Sequence, residues 1–91
     1  MTSMTDATIP SLDRKFRLQW EEAQNRYVLL YPEGMVQLNP SAGEIMKRVN
    51  GESAVASIVE DLEKTFELSE LKADVLSFLE IAHGNGWIKL R

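Results

Sequence analysis

YPEGMVQLNPSAGEIMKRVNG, residues 31–51, decides how the rest of the chain is read. Within it, Pro32-Glu33-Gly34 is a tight turn, Pro supplying the fixed φ of an early turn position and Gly a left-handed one. Before the turn, Arg26-Tyr27-Val28-Leu29-Leu30-Tyr31 is rich in β-formers; after it, Met35-Val36-Gln37-Leu38-Asn39 is a second, shorter run. Two such runs joined by a short Gly-containing turn form a hairpin. Pro40 cannot continue a ladder and keeps Asn39 out of a helix. Ser41-x-x-Glu44 then has the pattern of a capping box, and the helix it opens is expected to close at Asn50-Gly51, with Gly left-handed. The second strand of this hairpin is expected at a sheet edge, and an available edge can accept a strand from another chain.

Working outward, residues 1–12 are small, polar and aperiodic, which predicts a flexible tail ahead of a single domain over 13–91. Phe16-Arg17-Leu18-Gln19-Trp20 alternates with period two and places Phe16, Leu18 and Trp20 on one face of a half-buried strand. With the hairpin this makes a three-stranded meander. Three helices follow. The first, about 41–49, buries Ile45, Met46 and Val49. The second starts at a Ser53 cap and runs to about residue 66, with Val55, Ile58, Val59, Leu62 and Phe66 as a continuous stripe. The third starts at a Ser69 cap, with Glu70 favourable to the dipole, and ends near His83-Gly84. Its Leu71, Val75, Phe78 and Ala82 face the core; Leu76 lies on another side with Lys72 and His83, and Leu79 bridges the two. After Gly84-Asn85-Gly86, Trp87-Ile88-Lys89-Leu90 reads as a short last strand. The expected fold is α+β: a small winged-helix-like domain with an N-terminal three-stranded antiparallel β-meander, three helices and a short C-terminal strand.

Composition narrows the function. Ninety-one residues make one small domain. The absence of cysteine removes disulfides, thiolate metal sites and cysteine nucleophiles, and a single histidine, His83, leaves no cluster of metal ligands. The N-terminus has no signal-peptide pattern and no apolar run approaches the roughly 18 residues of a membrane span, so a cytoplasmic protein is expected. Fourteen acidic against ten basic residues, net charge −4, work against nucleic acid. The third helix would be repelled by DNA, since Glu70, Asp74 and Glu80 outnumber Lys72.

Candidate catalytic groups have structural readings. Glu21-Glu22 are neighbours whose side chains point apart in a strand or turn. Glu60, Asp61 and Glu63 form the polar side of the second helix. Gly84-x-Gly86 follows a helix instead of leading into one, so it is a helix stop and not a phosphate loop. Trp20 and Trp87 fall on strand positions that suit core or sheet packing, and Tyr27 and Tyr31 share strand parity, so that one of them could be exposed and functional. No enzyme, metal site or cofactor is expected.

Tyr31-Pro32-Glu33-Gly34, then Val36-Gln37-Leu38-Asn39, Ala42, Ile45 and the Asn50-Gly51 stop closely resemble the pyrroloquinoline quinone biosynthesis protein D family. So do Ile58 and Leu62 in the second helix, Val75, Phe78 and Leu79 in the third, and the closing Gly86-Trp87-Ile88. The resemblance covers about residues 14–90. One departure is Val49-Asn50-Gly51, where relatives often carry an acidic residue before the glycine; Asn serves the same helix-ending purpose.

The resemblance implies a non-catalytic peptide chaperone. It would bind the ribosomally made precursor peptide of pyrroloquinoline quinone and present it to a radical S-adenosylmethionine enzyme, which cross-links a Glu and a Tyr of that peptide. In such recognition elements the leader adds beside the third strand, in a groove also lined by the third helix. On this chain those positions are Met35, Val36, Gln37, Leu38 and Asn39 on the strand, with Lys72, Leu76 and Leu79 as candidates for the helix wall. Val36 and Leu38 are expected inward and Met35 and Gln37 outward; either pair could supply selectivity. Lys72 could meet a leader carboxylate, while Leu76 and Leu79 could equally be core. The same edge could pair two copies into a homodimer. A structural subunit that docks the enzyme without touching free peptide is the main alternative, and a winged-helix nucleic-acid binder lacks the basic surface it would need.

Overall fold

The computed structural model describes residues 4–91. Strands β1 (Pro10–Leu12), β2 (Arg17–Glu21), β3 (Arg26–Tyr31) and β4 (Gly34–Gln37) precede helices α1 (Pro40–Lys47), α2 (Val55–Phe66) and α3 (Lys72–Gly84), and β5 (Ile88–Leu90) closes the chain. The expected meander is present as an antiparallel sheet of order β2-β3-β4, and β1 and β5 form a separate antiparallel ribbon. The α+β class, the three helices and the last strand follow the sequence reading.

That ribbon corrects the expected tail. Pro10 pairs with Leu90 and Leu12 with Ile88, and Ile9 and Arg91 exchange two further backbone bonds of 3.0 Å. Only residues 1–3 of the expected tail lie outside the described residues. The N-terminal segment also replaces a cap. The Ser53 cap expected for α2 is absent: Ala54 stands at the N-cap with no side-chain bond. Instead the carbonyls of Thr8 and Asp6 accept from Val55 N–H at 2.8 Å and Ala56 N–H at 3.0 Å, satisfying two of the orphan donors that any helix start presents. Ser53 N–H goes to Asn50 Oδ1, which also takes Glu52 N–H, both at 2.8 Å.

Two more helix starts differ from expectation. Asn39, not Ser41, caps α1: its Oδ1 accepts Ala42 N–H at 2.8 Å, and Pro40 occupies the first turn, where a missing N–H costs nothing. Glu44 turns instead to Arg48, at 2.9 Å. The helix stops at Lys47, short of Asn50, although Gly51 does adopt the left-handed conformation (φ +78°). Helix α3 begins at Lys72, not at the Ser69 cap. Glu67 (φ 53°) and Glu70 (φ 60°) are both left-handed in the α2–α3 connection, each costing about 1–2 kcal/mol for a residue with a Cβ. Glu63 Oε2 accepts Leu71 N–H at 3.0 Å and holds that connection against α2.

The sheet's inner face and the three helices enclose one core. Leu29 and Leu38 come from the meander, Ile45 and Met46 from α1, Val55, Ile58 and Leu62 from α2, and Val75, Leu79 and Ala82 from α3; Val49 and Ile88 join them. Phe66, expected in the core stripe of α2, is 45% exposed; Trp20, also 45% exposed, takes the sheet-packing role, the second of the two expected for it. Trp20 packs edge-on against Tyr27, 4.9 Å between ring centroids, beyond the end of the core. Phe66, the last residue of α2, meets the Arg48 guanidinium at 5.9 Å.

Candidate functional site

Strand β4 pairs with β3 alone, so it is an edge. Register links Leu29 to Val36 and Leu30 to Met35, and Leu38 N–H donates to the Tyr27 carbonyl at 3.0 Å. Backbone groups of an antiparallel strand point alternately to its two neighbours. With Leu38 and Val36 committed to β3, the N–H and C=O of Met35 and Gln37 face outward, away from the sheet. Side chains follow the expected parity. Val36 is half-buried against the core and Leu38 is buried, whereas Met35 (49% exposed) and Gln37 stand on the outer face. Asn39 is exposed and its side chain is occupied as the α1 cap.

Immediately after Asn39 the chain reaches an apolar cavity of about 370 Å³. Pro40, Ser41 and Ile45 of α1 form one wall, Leu62 and Phe66 of α2 the floor and back, and Leu68, Leu71, Asp74 and Val75 the side made by α3 and its lead-in. Residues 71, 74 and 75 share one side of α3 by their three- and four-residue spacing, and Ile81, seven residues after Asp74, continues the same row. Leu68 and Ile81 are 56% and 57% exposed. Two carboxylates stand at the cavity. Glu44 is held by Arg48, whereas Asp74 makes no ion pair among the described residues. Burial alone would favour neutral Arg48, but its hydrogen bonds to Asp61 and Glu44 outweigh that and raise its pKa.

The strand residues named from sequence therefore form one continuous edge, but the helix residues do not share its surroundings. Lys72 Nζ pairs with Asp6 Oδ1 at 2.9 Å, which turns this flank of α3 toward the N-terminal segment. Leu76, one turn on, is half-buried against the core. Leu79 is fully buried, the bridging position between the two faces having become the centre of the core. The flank that meets Pro40 and Ser41 carries Leu71 and Asp74. Leu71 is expected in the core and Asp74 only as a charge on the helix; Leu68, apolar just after α2 and outside its stripe, is the signal in the sequence that points to this cavity. Among the described residues no group of three or more His, Cys, Asp and Glu side chains could hold a metal ion. No helix of the described chain is long and apolar enough to cross a membrane.

Fold and edge together define a small α+β module whose sheet ends on an accessible strand beside an apolar cavity. Residues 26–88 match the sequence pattern of coenzyme PQQ synthesis protein D (PqqD), and the chain belongs to that family. It is 50% identical over 91 residues to a PqqA binding protein of Azotobacter vinelandii, covering 99% of each chain. A PqqA binding protein of Pseudomonas aeruginosa is 53% identical over 85 residues, 92% of each. In three dimensions the chain is similar to the PqqD truncation of Methylobacterium extorquens PqqCD, solved by NMR as a functional, stand-alone recognition element for ribosomally synthesised and post-translationally modified peptides. The TM-score is 0.81 at 29% identity, over 97% of this chain and 96% of that one. The crystal structure of PqqD from Xanthomonas campestris is similar at a TM-score of 0.54 and 28% identity, over 91% and 94%.

Proposed function

We propose that this chain is a non-catalytic peptide chaperone of pyrroloquinoline quinone biosynthesis. It binds the precursor peptide, PqqA, as an added strand on β4 and presents it to the radical S-adenosylmethionine enzyme of the pathway, in the cytoplasm where the peptide is made. The outward N–H and C=O groups of Met35 and Gln37, beside a cavity reached at Pro40 and Ser41, are the observation that carries this reading. Relatives named for PqqA binding support it over nearly their whole length.

Magnitudes explain why edge and cavity would act together. Four backbone hydrogen bonds contribute about 2–6 kcal/mol net. Burying one large apolar side chain adds roughly 1.5–3 kcal/mol. Immobilising two molecules costs about 4 kcal/mol or more. Neither contribution alone gives useful affinity, so a peptide that pairs with β4 but leaves the cavity empty would bind poorly.

Titrating the isotopically labelled protein with PqqA peptide, without enzyme, tests the proposal through amide shifts. Saturable shifts at residues 35–39 and around Leu68–Val75 are expected. Absence of shifts at high peptide concentration would overturn the reading and favour a subunit that acts only when docked to its enzyme.

A further inference from the structure

On the outer face of the sheet, directly behind the open edge, Arg26 is the best-placed cation without a carboxylate. Its Nη1 donates to Gln37 Oε1 at 3.2 Å, and Gln37 Nε2 in turn donates to Gln24 Oε1 at 2.9 Å. Arg26 makes no ion pair among the described residues, and its Nε is shielded from solvent with no hydrogen-bond partner. Glu21, opposite it in the β2–β3 register, is turned aside to accept from Gln19 Nε2 at 2.9 Å. An arginine carries five donors, and its usual buried partner is a carboxylate gripped by two of them. Here one donor meets a neutral amide oxygen at the long end of the normal range. A carboxylate would add a second charge to the bond and a bidentate grip that a single amide oxygen does not give.

We propose, on the strand-addition reading above, that Arg26 is a specificity-determining residue: it receives an aspartate or glutamate of the bound peptide, and Gln37 Oε1 holds the guanidinium in place until that carboxylate arrives. Geometry sets which peptide residue this is. A strand bonded to the outward groups of Gln37 places the residue opposite it on the same outer face, with Cβ atoms about 5 Å apart. Its carboxylate then approaches the guanidinium across one strand spacing, about 4.8 Å. Residues on either side of it in the peptide point inward, toward Val36, Leu38 and the cavity. The peptide is therefore read on both faces: apolar side chains on the inner one, one carboxylate on the outer one.

The test is a binding cycle with PqqA peptides in which each Asp and Glu is changed singly to Asn or Gln. On the unaltered protein, one such change should lower affinity about tenfold, the scale of a charged hydrogen bond. On Arg26→Gln, binding should start about tenfold weaker and the same peptide change should have no further effect. A merely structural Arg26 would lower the melting temperature without that coupling. Gln37→Glu gives an independent arm that leaves the fold intact. It supplies the carboxylate internally, so it should raise stability while weakening the unaltered peptide about tenfold. If peptide shifts appear on β4 yet no acidic residue couples to Arg26, this proposal fails and strand addition stands. If PqqA does not bind at all, both fail.

Discussion

The two flanks of α3 are finished differently. Lys72 and Leu76 lie on the flank met by the chain's own N-terminal segment, where Asp6 pairs with Lys72 and the carbonyls of Asp6 and Thr8 close the start of α2. Leu71, Asp74 and Ile81 lie on the other, whose boundary is the mouth of the cavity at Pro40 and Ser41. Helix α3 is apolar on both sides of its buried row, at Leu76 on one flank and Ile81 on the other. A helix of that kind asks for cover on both sides; on the second flank Trp87 covers Phe78, 6.4 Å between ring centroids, but Ile81 is left without cover. Ile81 and Leu68 stay more than half exposed. The first flank shows what cover by an extended segment looks like, and the second borders the cavity that the chain reaches at Pro40 and Ser41, just after β4.

The largest expected effect removes the row that both flanks share. Leu79→Ala should lower stability by about 2–5 kcal/mol, read by denaturant unfolding, and should lower peptide binding only in proportion to the folded fraction. Met35→Pro acts on the open side alone. Proline is tolerated on an edge strand where its missing N–H faces solvent, so the melting temperature should fall by no more than a few degrees. Peptide affinity should drop about thirtyfold, roughly 2 kcal/mol, since a backbone bond is lost and the ring obstructs the incoming strand. A Met35→Pro variant that binds peptide normally would show that β4 is not the pairing edge.

The hairpin, its edge position and the parity of residues 35–38 were legible because turn chemistry and period-two alternation are local. Helix starts were less so. Asn39 and Ser41 are both good caps, and Pro40 between them fits the first turn of a helix capped by Asn39 better than the residue preceding one. Ser53 lost its role to backbone carbonyls of residues 6 and 8, a contact nearly fifty residues away in sequence that no local pattern reveals. The same contact explains the misread tail: Pro10-Ser11-Leu12 has no strand signal of its own and is extended because β5 pairs with it. On α3, apolar positions could be recognised, but which flank faced the edge depended on where the N-terminal segment lay. Lys72, expected on the wall of the groove, pairs with Asp6 of that segment.

A smaller effect should come from the cavity. Leu68→Ser alters an exposed side chain, so stability should change by less than about 0.5 kcal/mol. If a peptide side chain enters the space lined by Leu68, Phe66 and Leu71, affinity should fall about fivefold, measured by calorimetric titration, with the heat-capacity change on binding becoming less negative as less apolar surface is buried. An unchanged heat capacity would confine the peptide to the strand.

The smallest effect is the one that discriminates best between the flanks. Lys72 and Asp6 are both 57% exposed, and such a pair contributes about 0–1 kcal/mol, screened by salt. Lys72→Ala should therefore lower the melting temperature by a few degrees at most, with the difference shrinking in high salt, and should leave peptide affinity within about twofold. Asp74→Ala, at the cavity mouth, should change affinity more than Lys72→Ala does. If the order is reversed, the peptide approaches α3 from the side now held by residues 6–8. It would then have to displace Asp6 from Lys72, and the N-terminal segment would be a competitor for the site.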